Sequence, residues 1–432
     1  MKRSIVWFKT DLRLHDNETL VQAIAQSDEV IPVFCIDESH FRTTEFGFVK
    51  MGKFRTQFLL ESLNDLDKNL RAIGSGLCLV SGKPEVEISK LVIKHGVQKV
   101  FAKKEVAYEE LQTQAAVETA LEQHNCVLET FSTSTLYHAQ DLPFPLKDIP
   151  DVFTRFRKNI EVESTIRDVF VEPSVINSPE IEPLQLPTIS GLGLEEVVPD
   201  SRASIIFNGG ESEGKKRLDT YLFETQSISS YKETRNGLVG ENYSSKFSAW
   251  LALGCLSARQ IYHEIKRYEE EVGANESTYW LVFELLWRDY FRFMMKKHKH
   301  SFFMQQGIKA AGKTIIEHNP ILFNNWINGK TGNDFIDANM LELKLTGFMS
   351  NRGRQNVASY LCHQLKLDWR WGAAYFEQQL IDYDVCSNWG NWAYLAGVGN
   401  DPRGSRVFNT EKQADEYDKN KLYRAMWLNK CE

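Results

Sequence analysis

The stretch SIVWFKTDLRLHDN, residues 4–17, sets the architecture of the N-terminal part of the chain. SIVWFK is a short apolar run that predicts a buried strand. The turn after it, KTDLRLHDN, contains no glycine. Because the phosphate-cradling G-x-G-x-x-G is absent here, this half should not bind a dinucleotide in the usual way.

Strand and helix patterns alternate outward from this stretch over the first 130 residues. Helical patterns include KFRTQFLLESLNDLDKNL (53–70) and the segment after Pro84, a favourable first-turn proline. The other predicted strands are VIPVFCID (30–37), LCLVSG (77–82), KVFAKK (99–104) and CVLETFS (126–132). This alternation predicts an α/β domain with a doubly wound parallel sheet.

The rest of the chain has a different composition. Eight of the twelve prolines lie between residues 143 and 199, which indicates a connector that runs over a surface. From about residue 205 helical periodicity dominates, and nine of the ten tryptophans lie there. We predict an α/β domain over 1–135, a connector over 136–204 and an all-helical domain over 205–432. The tryptophans indicate either a site in the helical half or a large aromatic core.

Composition narrows the class of protein. The 432 residues are 42% hydrophobic and 25% charged, as in ordinary globular proteins. Seven cysteines without a C-x-x-C pair, and no Cys/His pairs at metal spacing, favour a reducing compartment and no metal site. No apolar run reaches the length of a membrane span, so we expect a cytoplasmic protein. The net charge of −7 means that nucleic-acid binding would depend on a local basic face.

Three segments are more polar than packing requires. In YKETRNGLVGENYSSKFSAWLALGCLS (231–257), serines around a lysine could hold a diphosphate or simply cap a helix. In FELLWRDYFRFMMKKHKH (283–300), Glu284 and Arg288 lie on one helix face, where they form either part of a binding site or an exposed ion pair. The basic end of this segment is either a solvated helix end or a contact to phosphate groups. In TGFMSNRGRQNVASYL (346–361), clustered amides and guanidinium groups suit a planar heterocycle or a phosphate.

A fourth segment, LIDYDVCSNWGNWAYLAG (380–397), combines two Asp, two Asn, two Trp and two Tyr with no Lys or Arg. Together with WFKTDLRLHDN, STLYHAQDLPFPLKDIPDVFTRFRKNIE, YKETRNG, TGFMSNRGRQ, NDPR and KQADEYD, it closely resembles the photolyase/cryptochrome family, and specifically its DASH branch. The resemblance covers almost the whole chain. It implies an α/β antenna domain followed by a helical FAD-binding domain without a metal.

The resemblance assigns residues to the FAD site. Asn388 would lie opposite flavin N5, where its amide can donate or accept without adding charge. The residues implied to hold the phosphates are Tyr231, Ser244, Ser245, Lys246, Phe247 and Ser248. Those implied to flank the flavin or its adenine and ribose are Arg288, Asn351, Arg354, Asp382 and Asp384.

The implied reaction is light-driven repair of cyclobutane pyrimidine dimers, that of a deoxyribodipyrimidine photo-lyase. Trp392 and Trp369 match inner links of the family's electron-transfer chain, whereas the outermost position is Ile316, which cannot be oxidised. Photoreduction should therefore be slow unless Trp326, Trp371 or Tyr360 replaces it. The residues implied to contact the dimer are Glu284, Trp287, Asn351, Gln355 and Tyr394. Glu105 resembles the acidic residue that holds the pterin of an antenna folate, 5,10-methenyltetrahydrofolate.

Three functions stay open from the sequence. The first is repair of dimers, mainly in single-stranded DNA, by a monomer that binds RNA or duplex DNA weakly at most. The second is a blue-light photoreceptor with little repair, although the short stretch after NDPRG lacks the long tail of many sensory cryptochromes. The third is a non-catalytic nucleic-acid adaptor. A (6-4) photolyase is not favoured, because Ser350 and Asn351 stand where that class has histidine.

Overall fold

Five strands form one parallel sheet in the computed structural model, which describes residues 2–309, 319–404 and 406–428. The sheet order is β3-β2-β1-β4-β5, with β1 Arg3–Phe8, β2 Glu29–Ile36, β3 Cys78–Ser81, β4 Lys99–Lys103 and β5 Val127–Phe131. β1 pairs with β2 and β4, and its residues 4–8 are all buried, as expected for a strand covered on both faces. The predicted parallel sheet is confirmed.

Helices cover both faces of the sheet. Pro84 occupies the first turn of its helix, as predicted, and Gly96 ends that helix in the left-handed conformation. The four helices of this domain are α1 Glu18–Gln26, α2 Lys53–Ala72, α3 Pro84–His95 and α4 Tyr108–Glu122. Ile5 and Trp7 pack with residues of α3 and α4 in one core. Val6 and Phe8 point the other way, into a core that continues into the helical half.

The proline-rich segment contains a helix that the sequence did not predict. This helix, α5, spans Phe153–Glu163 and buries Phe153, Phe156 and Ile160. The Phe156 ring lies 5.3 Å from Tyr290 and 6.0 Å from Phe293, centroid to centroid. The connector is therefore partly embedded in the core.

The remainder of the described chain is helical. Its helices are α6 Glu211–Asp219, α7 Tyr231–Thr234, α8 Ser248–Leu253, α9 Ala258–Glu271, α10 Glu276–His298, α11 Pro320–Ile327, α12 Asp334–Thr346, α13 Asn351–Ser359, α14 Trp369–Gln379, α15 Val385–Leu395, α16 Thr410–Tyr417 and α17 Leu422–Leu428. Single π-helical turns follow α6 and α13. α10 is the longest described helix at 23 residues, and neither it nor any other described helix has the apolar stretch that a membrane span requires.

The glycine-free turn after β1 attaches the sheet domain to the helical half. Asp16 is fully buried and accepts from Arg259 Nη2 at 2.5 Å and from Ser257 Oγ at 2.6 Å. Arg13 donates to the carbonyl oxygen of Gly254 at 2.9 Å. Gly254 has φ +69°, and a Cβ there would lie 2.3 Å from the carbonyl oxygen of Thr10, so only glycine permits this close approach. This turn, which lacks a phosphate-binding motif, thus attaches the sheet domain to the helical half of the protein.

Candidate functional site

A cavity in the helical half is lined by residues of α13 and α15 and by the loop before α15. Polar and aromatic side chains from two separate segments, 346–361 and 380–397, meet there, as the family resemblance implied. The predicted site residues that line it are Asn351, Arg354, Gln355, Asp382, Asp384, Asn388 and Trp392. In the part of the chain that the structure describes, no three His, Cys, Asp or Glu side chains group closely enough to hold a metal ion.

A buried ion pair organises one wall of this cavity. Arg354 Nη2 lies 3.0 and 2.8 Å from the two carboxylate oxygens of Asp382, whose side chain is 2% exposed. Arg354 Nε donates to the carbonyl oxygen of Met349 at 2.8 Å, which holds the guanidinium plane in place. On α15, Asn388 Nδ2 donates to the carbonyl oxygen of Ala373 at 3.1 Å. The amide of Asn388 is therefore oriented before any ligand binds.

Asp384 begins α15 as its N-cap, and its carboxylate accepts from the backbone N–H of Ser387 at 2.8 Å. Burial acts to raise the pKa of Asp384, but the nearby guanidinium groups of Arg288 and Arg292 outweigh it and hold the pKa below its ordinary value. Asp384 is therefore a partly buried anion at neutral pH.

Lys246 is a buried cation in the segment predicted to hold the phosphates. Its side-chain amine lies 3.2 Å from Ser204 Oγ and sits over the rings of Tyr243 and Phe348, at 3.4 and 4.7 Å from the centroids. Burial lowers the pKa of Lys246 to about 7. Among the described residues no carboxylate forms an ion pair with this amine, so an anionic ligand would supply the missing partner.

The surrounding loop is shaped by Arg217, which sequence reasoning missed. Arg217 Nε donates to the carbonyl oxygen of Ser245 at 3.0 Å, and Nη2 donates to that of Ser244 at 3.4 Å. The alternative of a serine helix cap is wrong for α8, because its N-cap is Phe247 and no side chain caps it. Ser248 is exposed at the first position of α8. The segment predicted to bind the phosphates thus forms a loop whose backbone carbonyls are hydrogen-bonded by the buried guanidinium group of Arg217.

Tyr231 and Arg288 have mainly internal partners. Burial raises the pKa of Tyr231 to about 12, so its phenol remains protonated. Arg288 donates to the carbonyl oxygens of Ser134 and Leu251, the latter at 3.3 Å. The predicted alternative of a Glu284–Arg288 ion pair is wrong, because Glu284 pairs with Arg235 instead.

Trp287 and Tyr394 lie together, as expected of residues that share a substrate. Their ring centroids are 5.9 Å apart and edge to face. Trp287 also stacks on Phe153 of the unpredicted helix α5, with centroids 3.7 Å apart. Tyr394 Oη accepts from Arg406 Nη2 at 2.6 Å. Sequence reasoning missed Phe153 and Arg406, and neither carries a local signal that points to the site.

The two tryptophans of the predicted electron chain have separate ring contacts. Trp392 contacts Phe376 and Trp326, with centroids 5.1 and 6.2 Å apart. Trp369 contacts Trp389 at 5.7 Å, and no ring contact joins it to Trp392 in the described part of the chain. Ile316 lies outside the described residues.

A second cavity lies between the sheet domain and the helical half. Its lining includes Glu105, Lys9 and Arg292, together with Tyr383 and Asp384. Lys9 Nζ lies 3.0 Å from the Glu105 carboxylate, and Arg292 lies 3.8 Å from it. Burial acts to raise the pKa of Glu105, but the cations reverse the effect and lower it to about 2. This carboxylate is a permanent anion inside a partly apolar cavity, and its cationic partners were not predicted.

A parallel-sheet domain is thus docked on helices that hold an oriented amide, an Arg–Asp ion pair and a buried lysine amine. Residues 4–174 match the family described as DNA photolyase, and residues 280–432 match the FAD binding domain of DNA photolyase. The helical half therefore contains an FAD-binding domain.

Individual relatives narrow the assignment. Cryptochrome DASH of Natronomonas pharaonis is 47% identical over 99% of this chain and 90% of its own length, and Cryptochrome DASH of Danio rerio is 46% identical over 98% and 82%. The crystal structure of the Synechocystis cryptochrome superposes with a TM-score of 0.96 at 45% identity, covering 99% of this chain and 89% of that one. The chain belongs to the DASH cryptochromes of the photolyase/cryptochrome family.

Proposed function

We propose that this protein is a light-driven deoxyribodipyrimidine photo-lyase that splits cyclobutane pyrimidine dimers, mainly in single-stranded DNA, with FAD as cofactor. The observation that carries the proposal is the convergence of Asn388, Trp392 and the Arg354–Asp382 pair on one cavity. The DNA photolyase match over residues 4–174 supports DNA as the substrate.

The residues present fit FAD. Lys246 is a buried amine whose hydrogen-bond partner among the described residues is a hydroxyl, which suits a diphosphate. Asn388 presents a neutral amide to the cavity. The buried carboxylate of Asp382 and the partly buried carboxylate of Asp384 would accept from hydroxyl or N–H donors of the cofactor. When bound and reduced, FAD supplies on illumination the electron that splits the dimer and accepts it back.

The protein's own residues orient the reaction. Asn388 is held by the carbonyl oxygen of Ala373, so its amide would face the flavin as a neutral group without placing a net charge there. Trp287 and Tyr394 offer aromatic faces on which an extruded dimer stacks, and Glu284 accepts from its base edges. Glu284 pairs with Arg235 in the free protein, so a bound dimer would share this carboxylate with the guanidinium group or replace it.

The preference for single strands follows from weak anchoring of the phosphate backbone. The net charge is −7, and the basic end of α10 is partly occupied, since Lys297 and His298 both contact Asp151 at 2.9 Å. Few phosphate contacts leave little binding energy to extrude a dimer from a duplex, whereas an unpaired strand needs less. Gln355 on the cavity wall matches the DASH pattern rather than that of duplex-acting photolyases.

The cavity around Glu105 supports an antenna folate. Methenyltetrahydrofolate presents a pterin with N–H donors, and a carboxylate whose pKa is held near 2 accepts from them at any physiological pH. Trp7 lines the same cavity, with the Lys9 ammonium 4.7 Å from its ring centroid.

The test is illuminated turnover of a dimer-containing oligonucleotide, single- and double-stranded, at matched salt. We expect turnover on the single strand and little on the duplex. Glu284→Gln serves as a matched variant, because it keeps the shape but loses the ion pair with Arg235. A flavin-loaded protein without turnover on either substrate would refute repair and favour the blue-light photoreceptor. A purified protein without flavin would favour the non-catalytic adaptor.

A further inference from the structure

A small pocket lies at the carboxyl ends of β4 and β5, where the sheet domain meets α10. Lys104 follows β4 directly, and four consecutive hydroxyl residues, 132–135, follow β5. Arg292 and Lys296 line the pocket from α10. Open α/β sheets bind ligands outside the carboxyl ends of their strands, so the pocket is in a position that this kind of fold commonly uses for binding.

The lining of this pocket carries three cations, and no Asp or Glu side chain of the described residues belongs to it. Lys104 and Lys296 form no ion pair with any described residue, whereas the next lysine of α10, Lys297, pairs with Asp151 at 2.9 Å. Burial, together with the nearby positive charges of Lys104 and Arg292, lowers the pKa of Lys296. Like charges thus converge here without a counterion from the described part of the chain.

Arg292 is only partly neutralised by the protein. Its partner Glu105 lies 3.8 Å from Nη2. The same carboxylate also faces Lys9 at 3.0 Å and Lys103 at 3.5 Å, so three cations share one negative charge. Nη2 of Arg292 is buried and donates no hydrogen bond to a described residue. A buried N–H in this state costs free energy unless a ligand or water accepts from it.

Thr133 supplies a second unpaired group on the opposite wall. The residue is 4% exposed, and its Oγ1 has no hydrogen-bond partner among the described residues. Its backbone carbonyl oxygen accepts from Arg13 at 3.3 Å, which holds this part of the loop in place. A hydroxyl group can donate to an anion that the neighbouring cations attract. Unpaired donors from the loop after β5 and from α10 therefore line the same pocket.

We propose that this pocket is a binding site for a phosphate group, either free phosphate or a small phosphomonoester. A phosphate group carries about two negative charges at neutral pH and several strong acceptor oxygens, which match the clustered cations and hydroxyl groups better than a carboxylate with a single charge. Water would satisfy the donors but would leave the positive charges without a counterion. Because the pocket shares no residue with the cavity proposed to hold FAD, the site does not depend on the proposed function.

The experiment is calorimetric titration of the purified protein with potassium phosphate in a phosphate-free buffer, with excess FAD to fill the site around Lys246. Potassium chloride at the same ionic strength separates binding from charge screening. Ribose 5-phosphate, compared with ribose, tests a phosphomonoester. The variants are Lys104→Gln, Lys296→Gln and Thr133→Val. Lys158→Gln is the matched control, since it removes another exposed lysine, on α5, that does not line the pocket.

We expect wild type and Lys158→Gln to bind phosphate equally. The dissociation constant should rise about tenfold or more in each of the three pocket variants, because each loses a hydrogen bond to a charged group. Without phosphate, Thr133→Val should melt no lower than wild type, because the lost hydroxyl was buried and unpaired, yet phosphate should no longer raise its melting temperature. Should Thr133→Val fail to fold, the exposed Lys104→Gln decides.

Two results would overturn the site. One is the absence of any heat beyond that of chloride with both phosphate and ribose 5-phosphate. The other is equal binding by wild type and all three pocket variants. Binding of ribose 5-phosphate but not of free phosphate would uphold the site and identify a phosphomonoester as its ligand. A wild type that binds phosphate but no FAD would overturn the proposed function and uphold this site.

Discussion

Lys246 should make the affinity for FAD depend strongly on pH. Burial lowers the pKa of this amine from 10.5 to about 7 in the free protein. Below about pH 7 the amine is therefore charged and ready for a diphosphate, and above it the amine is neutral. A bound diphosphate stabilises the charged form and raises the pKa again. Binding above about pH 7 must then take up one proton.

The uptake of one proton determines how steeply the dissociation constant for FAD changes with pH. The dissociation constant for FAD should rise about tenfold for each pH unit above 7, because one pKa unit corresponds to about 1.36 kcal/mol. Between pH about 7 and about 9 the loss is about a hundredfold, or about 2.7 kcal/mol. The assay is titration of the apoprotein with FAD at several pH values, followed by the quenching of flavin fluorescence.

Lys246→Arg is the control, because a guanidinium group stays charged over this range. Its affinity should be nearly independent of pH, whatever its absolute value. Other titrating groups act equally on both proteins, so the difference between the two slopes isolates Lys246. Equal slopes for wild type and Lys246→Arg would show that the amine does not contact the phosphates, or that it is already solvated in the free protein.

Three further changes test the cavity, the substrate contact and the docking turn. Asp382→Ala combined with Asp384→Ala should remove FAD from the purified protein, and full flavin occupancy by absorbance would contradict their role. Glu284→Ala should lower dimer repair more than binding of the damaged strand, because the Glu284 carboxylate is proposed to contact the lesion and not a phosphate. Equal losses in turnover and binding assays would count against that assignment. Asp16→Ala leaves the buried Arg259 without its carboxylate partner, so the free energy of unfolding should fall by about 3–5 kcal/mol. Urea titration measures this loss. An unchanged midpoint would show that water solvates Arg259 in the variant.

The short-range sequence pattern was sufficient to predict the strands and helices whose structure depends on neighbouring residues. The five strands and the helix at Pro84 were predicted because buried parallel strands read as short apolar runs between helical periods. Helix α5 was missed because its surroundings are rich in proline and its apolar positions, Phe153, Phe156 and Ile160, form less than two full turns of a stripe. Packing against α10, which lies far along the chain, stabilises it instead.

The candidate site likewise has features that were predicted from the sequence and features that were not. Residues of 346–361 and 380–397 were predicted to share a site because the resemblance to the photolyase/cryptochrome family implies that both flank the flavin, and the cavity brings them together. The burial of Lys246 and the support from Arg217 were not predictable, since they depend on which loops cover them. The same holds for the contact of Trp392 with Trp326, which are 66 positions apart in the numbering and meet only through the packing of α11 against α15.

The loop before α15 joins the two cavities physically. Tyr383 and Asp384 line both the cavity proposed to hold FAD and the cavity around Glu105. Arg55 of the sheet domain lies over the Tyr383 ring, 4.4 Å from its centroid, and Trp389 Nε1–H donates to the Tyr383 hydroxyl at 3.2 Å. Because these contacts come from both halves of the protein, the loop fixes the spacing between the two cavities. A change that displaces it should therefore disturb the proposed antenna site and the proposed flavin site together, even when only one of them is the target.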